Sequence, residues 1–197
     1  MKCGLIIFIR NPERGKVKTR LAKSIGDDAA LQVYRLLLQH TRRIAETVSC
    51  ERFLLYADQV SRNDDWNETM FSKHLQSGND LGERMLHAFE LVFGQGCSQA
   101  IIIGSDCPGI DPALVESAFA RLTEHDVVIG PATDGGYYLL GMNRPLPELF
   151  RGKAWSTSAV FPQTMDDIKT LGLRCSLLPA LTDVDEETDL PAMQHLL

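Results

Sequence analysis

The chain has 197 residues, 44% of them hydrophobic, enough for one well-cored domain spanning 1–197. Lys and Arg number 20 against 26 Asp and Glu, a formal charge of -6 with no dense basic run, which argues against a protein that holds nucleic acid through its phosphate backbone. The five cysteines are odd in number, widely spaced and without a C-x-x-C pair, so neither a disulfide framework nor a structural zinc site is indicated, and a reducing, cytoplasmic setting is expected.

The opening CGLIIFIR is a short run of branched and aromatic residues that reads as a strand. It is too short for a signal-peptide core or a membrane span, and neither is expected. Behind it, NPERGKVKTRLAKSIG places Arg14, Lys16, Lys18, Arg20 and Lys23 within ten residues. Because a helix follows, these cations and the loop N–H groups are suited to surround a phosphate chain; a solvated basic loop is the alternative. The loop is neither a Walker A sequence nor a G-x-G-x-x-G fingerprint.

From Asp27 to Val48 the apolar positions Ala30, Val33, Tyr34, Leu37, Leu38, Ile44, Ala45 and Val48 follow one helical face. ERFLLYAD reads as the next strand. QSGNDLGERM then opens a helix expected over Asp80 to Phe93, with Asp80 and Glu83 at capping-box spacing. Its first turn either meets a nucleotide, with Asp80 as the contact, or is only a cap.

AIIIGSD is a fully apolar strand followed by Ser105-Asp106-Cys107-Pro108. A carboxylate leaving the end of a strand is a candidate ligand for Mg²⁺ or Mn²⁺, and an Asx-turn before Pro108 is the alternative. Cys107 has no neighbouring His to activate it as a nucleophile. After a helix over Pro112 to Leu122, DVVIGPA and YYLLGM are separated only by TDGG, too short for a crossover helix and suited to a hairpin. Asp134, Gly135, Gly136 and Tyr137 at this reversal combine a carboxylate, close backbone approach and a ring able to stack on a ligand; a tight turn leading into buried tyrosines explains them equally well.

A further helix is expected over Ser158 to Leu171, with Pro162 tolerated in its first turn. Past SLLPAL, residues 183–189 carry five carboxylates. On an extended segment Asp183 and Asp185 point the same way and are candidate metal ligands, while Asp189 is suited to the start of a last helix. The histidines show no H-E-x-x-H or other ligand spacing.

Strands apolar at consecutive positions are covered on both faces, which gives an α/β three-layer sandwich; the hairpin makes its sheet mixed but mostly parallel. In such sheets ligands bind beyond the carboxyl ends of the strands, where the polar loops above fall.

Taken in order, RNPERGKVKTRLA, QSGNDLGERM, IIIGSDCPGI, GPATDGGYYLLG, WSTS and DVDEETDL resemble the bacterial glycosyltransferase family associated with radical-SAM and selenodomain proteins, some members of which are assigned to arsenosugar biosynthesis. The resemblance runs from Phe8 to Leu190 and implies a compact glycosyltransferase-A, or nucleotide-diphospho-sugar transferase, fold. It implies a nucleotide-sugar or NTP partner and a small-molecule acceptor, with Arg14, Lys18, Arg20 and Lys23 on the phosphates. It further implies Asp106, Asp183 and Asp185 on Mg²⁺ or Mn²⁺. The glycine-rich N-terminal signature of many sugar nucleotidyltransferases is missing between Ile7 and Pro12.

The mechanism expected is metal-dependent glycosyl transfer from a nucleotide-diphospho-sugar, with Asp106 in the catalytic centre and Asp134 as general base. Tyr137 and Trp155 would form a platform for a sugar or acceptor ring. Guanylyltransferase-like transfer of a nucleoside monophosphate to a phosphorylated acceptor is the alternative on the same motifs. A non-catalytic nucleotide-binding module is the alternative of another class.

Overall fold

The computed structural model describes residues 2–196 and builds them around one seven-stranded sheet, in the order β3-β2-β1-β4-β6-β5-β7. The strands are β1 (Cys3–Ile9), β2 (Glu51–Tyr56), β3 (Ser72–Leu75), β4 (Gln99–Ile103), β5 (Val127–Pro131), β6 (Tyr137–Met142) and β7 (Cys175–Leu177). β6 lies antiparallel between β4 and β5, and every other pairing is parallel, so the mixed, mostly parallel sheet expected from the sequence is what forms.

Five α-helices flank it: α1 (Thr19–Ile25), α2 (Asp27–Thr47), α3 (Leu81–Gly94), α4 (Pro112–Arg121) and α5 (Val160–Thr170). Alternation along the strands divides the core. Leu5, Ile7, Ile101 and Ile103 face α2 and α4, packing with Tyr34, Leu38, Val115 and Phe119. Ile6, Ala100, Ile102 and Leu140 face α3 and α5, packing with Met85, Phe89, Val92 and Ile168. A buried Leu-sized side chain contributes about 1.5–3 kcal/mol relative to exposure.

The helix boundaries read from periodicity hold to within two residues, and caps fix the starts of α3 and α4. Asp80 accepts a hydrogen bond from the Glu83 N–H at 2.8 Å, and Asp111 accepts one from the Leu114 N–H at 2.7 Å with Pro112 next to it. Among the elements not anticipated, α1 falls inside the stretch expected to be a basic loop, and the edge strands β3 and β7 are only four and three residues long. Polar edge strands this short carry almost no period, which is also what keeps an open sheet edge from pairing with another chain.

Beyond β7 the chain runs extended to a 3₁₀ helix, Glu187–Leu196, whose Met193 packs with Val184 and Leu37 on the outer side of α2. No helix among the described residues is long and apolar enough to cross a membrane.

Candidate functional site

A crevice of about 690 Å³ opens beyond the carboxyl ends of β1 and β4, where the strand order turns. A β4-to-β6 step replaces the next parallel neighbour, so the loops after β1 and β4 diverge and leave this gap.

The first wall is the basic loop. Asn11 fixes its start by exchanging two hydrogen bonds with Gln59, Nδ2 donating to the Gln59 carbonyl at 3.1 Å and Oδ1 accepting from its N–H at 3.2 Å. Val17, 3% exposed, plugs the loop into the core. Lys18 follows with φ 49° and ψ 42°, a left-handed backbone uncommon outside glycine, and its side chain is only 4% exposed. Its Nζ contacts Asp106 and lies 3.4 Å from Asp185 Oδ1. Arg20 contacts the same Asp185 and stands 3.7 Å from Glu186.

The second wall comes from β4. Tyr34 of α2 is buried, donates from its hydroxyl to the Arg10 carbonyl at 3.1 Å, and accepts from the Arg10 N–H at 2.8 Å and from Ser105 Oγ at 3.4 Å. One phenol thus clamps the ends of β1 and β4 together, and burial pushes its own pKa up to about 12. Asp106 is not engaged in an Asx-turn: its carboxylate is the partner of Lys18, and its backbone carbonyl accepts from the Val184 N–H at 2.9 Å.

That last bond draws the final acidic segment into the site. The segment is also held by Thr133 N–H to the Leu181 carbonyl, 2.9 Å, and Leu181 N–H to the Pro131 carbonyl, 3.1 Å. Val184 is fully buried against α2, so its neighbours Asp183 and Asp185 turn the other way and both line the crevice, as alternation on an extended segment requires. Asp189 closes the turn behind them, accepting from the N–H groups of Asp185 at 3.0 Å and Glu186 at 2.8 Å.

The electrostatics are one-sided. Burial raises the pKa of Asp183 to about 7, with the carboxylates of Asp106, Asp134 and Asp185 adding to the rise and Lys18 offsetting part of it. Next to it the Cys107 thiol, 4% exposed, is pushed up to about 12 by burial and by Asp183. Cys107 is therefore a protonated packing residue and not an activated nucleophile.

The third wall is the β5–β6 hairpin and the start of α3. Asp134 lines the crevice, and its Oδ1 accepts from the Gly136 N–H at 2.8 Å. Tyr137 and Trp155 line the apolar side with Leu81 and Met85; Trp155 lies so close over Gly82 that a Cβ there would meet the indole at 2.5 Å. Burial raises the Tyr137 pKa, so its hydroxyl stays protonated.

Lys18, Arg20, Asp106, Asp134, Gly136, Tyr137, Trp155, Asp183 and Asp185, all singled out from the sequence, meet in this one crevice. Four others do not line it. Arg14 is spent on the first turn of α2, 2.7 Å from Asp28 and 3.6 Å from Asp27, and Lys23 is exposed in the last turn of α1. Asp80 is the N-cap of α3, and Gly135, at φ +93°, is required because a side chain would strike the Ser158 carbonyl at 2.5 Å. For Arg14, Asp80 and Gly135 a local partner within the chain explains the residue.

Arg10, Gln76, Ser105 and Arg84 line the crevice and were not singled out. Gln76 Nε2 donates to the Leu55 carbonyl at 3.0 Å, and Arg84 Nε to the Gly78 carbonyl at 3.3 Å. For Arg84 a sequence signal existed, since Leu81, Arg84 and Met85 share one helical face.

The carboxylate oxygens of this site are the hard donors that suit Mg²⁺ or Mn²⁺. The donors fit such an ion in kind. They do not form a cage: among the described residues no three His, Cys, Asp or Glu side chains are gathered to hold a metal. The Lys18 ammonium lies between two of them.

A model of the family described as "Uncharacterized protein conserved in bacteria (DUF2064)" matches residues 40–157. Among solved structures, the chain is similar to a protein from Desulfovibrio desulfuricans G20 provisionally assigned as a nucleotide-diphospho-sugar transferase. The two share 32% identity at a TM-score of 0.87 over 94% of this chain and 84% of the other. It also shares its fold with a CMP:2-keto-3-deoxy-manno-octonic acid synthetase complexed with CTP, at 14% identity and TM-score 0.60 over 100% and 98% of the two chains. An inositol-1-phosphate CTP transferase from T. maritima has that fold too, at 14% identity and TM-score 0.58 over 98% and 95%. No curated protein matches the chain by sequence. The architecture is thus that of the nucleotide-diphospho-sugar transferases.

Proposed function

The chain belongs to the DUF2064 family, and from that premise we propose that it is a metal-dependent glycosyltransferase acting on a nucleotide-diphospho-sugar. The observation that carries this reading is the joining of a basic loop and four carboxylates in one crevice beyond the strand ends: Lys18 and Arg20 opposite Asp106, Asp134, Asp183 and Asp185. The 32% identity to the Desulfovibrio protein over nearly the whole chain supports the donor class.

Asp106 and Asp185, the two carboxylates that share Lys18, would hold the cation, with Asp183 behind them. A divalent ion supplies Lewis-acid stabilisation of charge on a departing diphosphate. Lys18 and Arg20 bind and orient the diphosphate oxygens as N–H donors. Tyr137 and Trp155 offer an apolar platform to the acceptor or sugar ring and exclude water from it. The oxygen of Asp134 that is free of Gly136 accepts the proton of the attacking acceptor hydroxyl as general base, while the Gly136 bond fixes the carboxylate's direction.

A second reading, nucleotidyl transfer to a phosphorylated acceptor, is favoured by the fold shared with CTP-using enzymes. Purified protein with Mn²⁺ is offered NDP-sugars and, separately, NTPs with sugar phosphates. Release of nucleoside diphosphate from the first, lost in Asp106→Asn, supports glycosyl transfer. Pyrophosphate release from the second replaces it with nucleotidyl transfer. Nucleotide binding that neither turns over nor responds to Asp106→Asn would leave only a binding module.

A further inference from the structure

We propose that Lys18 bars the crevice to a bare divalent cation, so that metal enters only together with a nucleotide whose phosphates draw the Lys18 ammonium away from Asp106 and Asp185. This rests on the reading of the crevice as a metal and nucleotide site.

Three features lead here. The Lys18 side chain is almost fully enclosed, 4% exposed, and on the crevice wall its charge is already paired: it sits on Asp106 and within 3.4 Å of Asp185. Those are oxygens a metal would need. The backbone of Lys18 is held in the left-handed region, φ 49° and ψ 42°, and no side-chain hydrogen bond caps the helix it precedes. An L-residue stays in that region when surrounding contacts over-determine it, and here the two ion pairs are such contacts.

The consequence is an exchange of partners. A dication arriving alone would have to stand beside an ammonium in a partly enclosed, low-dielectric site, or expel it with no anion to receive it. A diphosphate arriving with the metal provides that anion. Lys18 turns to the phosphate oxygens, and Asp106 and Asp185 become free for the ion. Metal and nucleotide affinities are then coupled, each raising the other by the same factor. Arg20, 60% exposed, can follow the same path without leaving a buried charge behind.

Mn²⁺ binding to the whole chain, measured by calorimetry and by the loss of the free-ion paramagnetic resonance signal, tests this without recourse to activity. Lys18→Met is expected to bind Mn²⁺ at least tenfold more tightly than the unaltered protein in the absence of nucleotide. Lys18→Gly, which accepts the left-handed backbone without strain, is expected to do the same and guards against a folding defect in the Met variant. Lys16→Met removes a crevice cation that is paired with Glu13 instead, and is expected to leave Mn²⁺ affinity unchanged. Equal Mn²⁺ affinity in the unaltered protein and both Lys18 variants overturns the inference, as does an equal gain in Lys16→Met, which would reduce the effect to net charge. A parallel titration with CTP and UDP-glucose, with and without Mn²⁺, separates the two levels. Metal-dependent nucleotide binding with no gain in the Lys18 variants refutes the barrier and keeps the transferase reading. A gain in those variants with no nucleotide bound to the unaltered protein sinks that reading and the nucleotide-coupled entry with it, leaving Lys18 only as a barrier to the bare ion.

Discussion

Asp183 offers a direct measure of the electrostatic state of the crevice. Its pKa stands at about 7 against an ordinary 3.8 because it is buried among Asp106, Asp134 and Asp185. Between those two values the unfolded chain has released the proton and the folded chain still holds it. The folded state therefore loses stability as pH rises from about 4 to about 7, and the loss is constant above that because both states are then ionised. At about 1.36 kcal/mol per pH unit the full rise corresponds to about 4 kcal/mol, and solvent screening of a carboxylate that is only partly buried lowers this toward 2.

Asp183→Asn keeps the shape and removes the ionisation. In chelator-containing buffer the variant should melt about 5–15 °C above the unaltered protein at pH 8, taking roughly 2–4 °C per kcal/mol for a chain of this size. At pH 4 the two should melt together within a degree or two. A scan of thermal unfolding by circular dichroism from pH 4 to 8 reads the difference directly. A pH-independent offset, or a variant less stable at pH 8, would show that Asp183 is neither strained nor surrounded by uncompensated carboxylates.

Gly82→Ala should cost about 1–3 kcal/mol, because the new methyl meets both the Trp155 ring and the Phe150 carbonyl near 2.6 Å; a shifted indole emission would report that Trp155 has left its place. Tyr34→Phe leaves the Arg10 N–H without its acceptor and should lower stability by about 1–3 kcal/mol in chemical denaturation, with no loss expected if water replaces the phenol. Cys107→Ala should keep nucleotide binding intact, and the native thiol should resist iodoacetamide at pH 7.5; rapid alkylation there would contradict its burial and its pKa near 12.

The fold was legible because its signals are local. The consecutive apolar residues of β1 and β4 demand cover on both faces, and the four-residue gap before Tyr137 permits only a reversal, so the layers and the mixed sheet follow from pattern and chain length. β3 and β7 were not legible, since three or four residues hold no period.

For the site, the sequence by itself determined which chemistry is available: a basic loop after the first strand, Asp106 after the strand AIII, and Asp183 and Asp185 on one side of an extended segment. Only the tertiary structure decided how those charges are spent. Asp80 and Arg14 were drawn off by a helix cap and a local ion pair, partners no more than fourteen residues away that the sequence contains but does not rank. Lys18 and Asp185 are 167 positions apart, and their pairing depends on a Val184 N–H reaching the Asp106 carbonyl and a buried Val17 setting the loop. Charge is fixed residue by residue along the chain; which opposite charge satisfies it depends on distances that exist only after the sheet has closed and water has been excluded from the crevice.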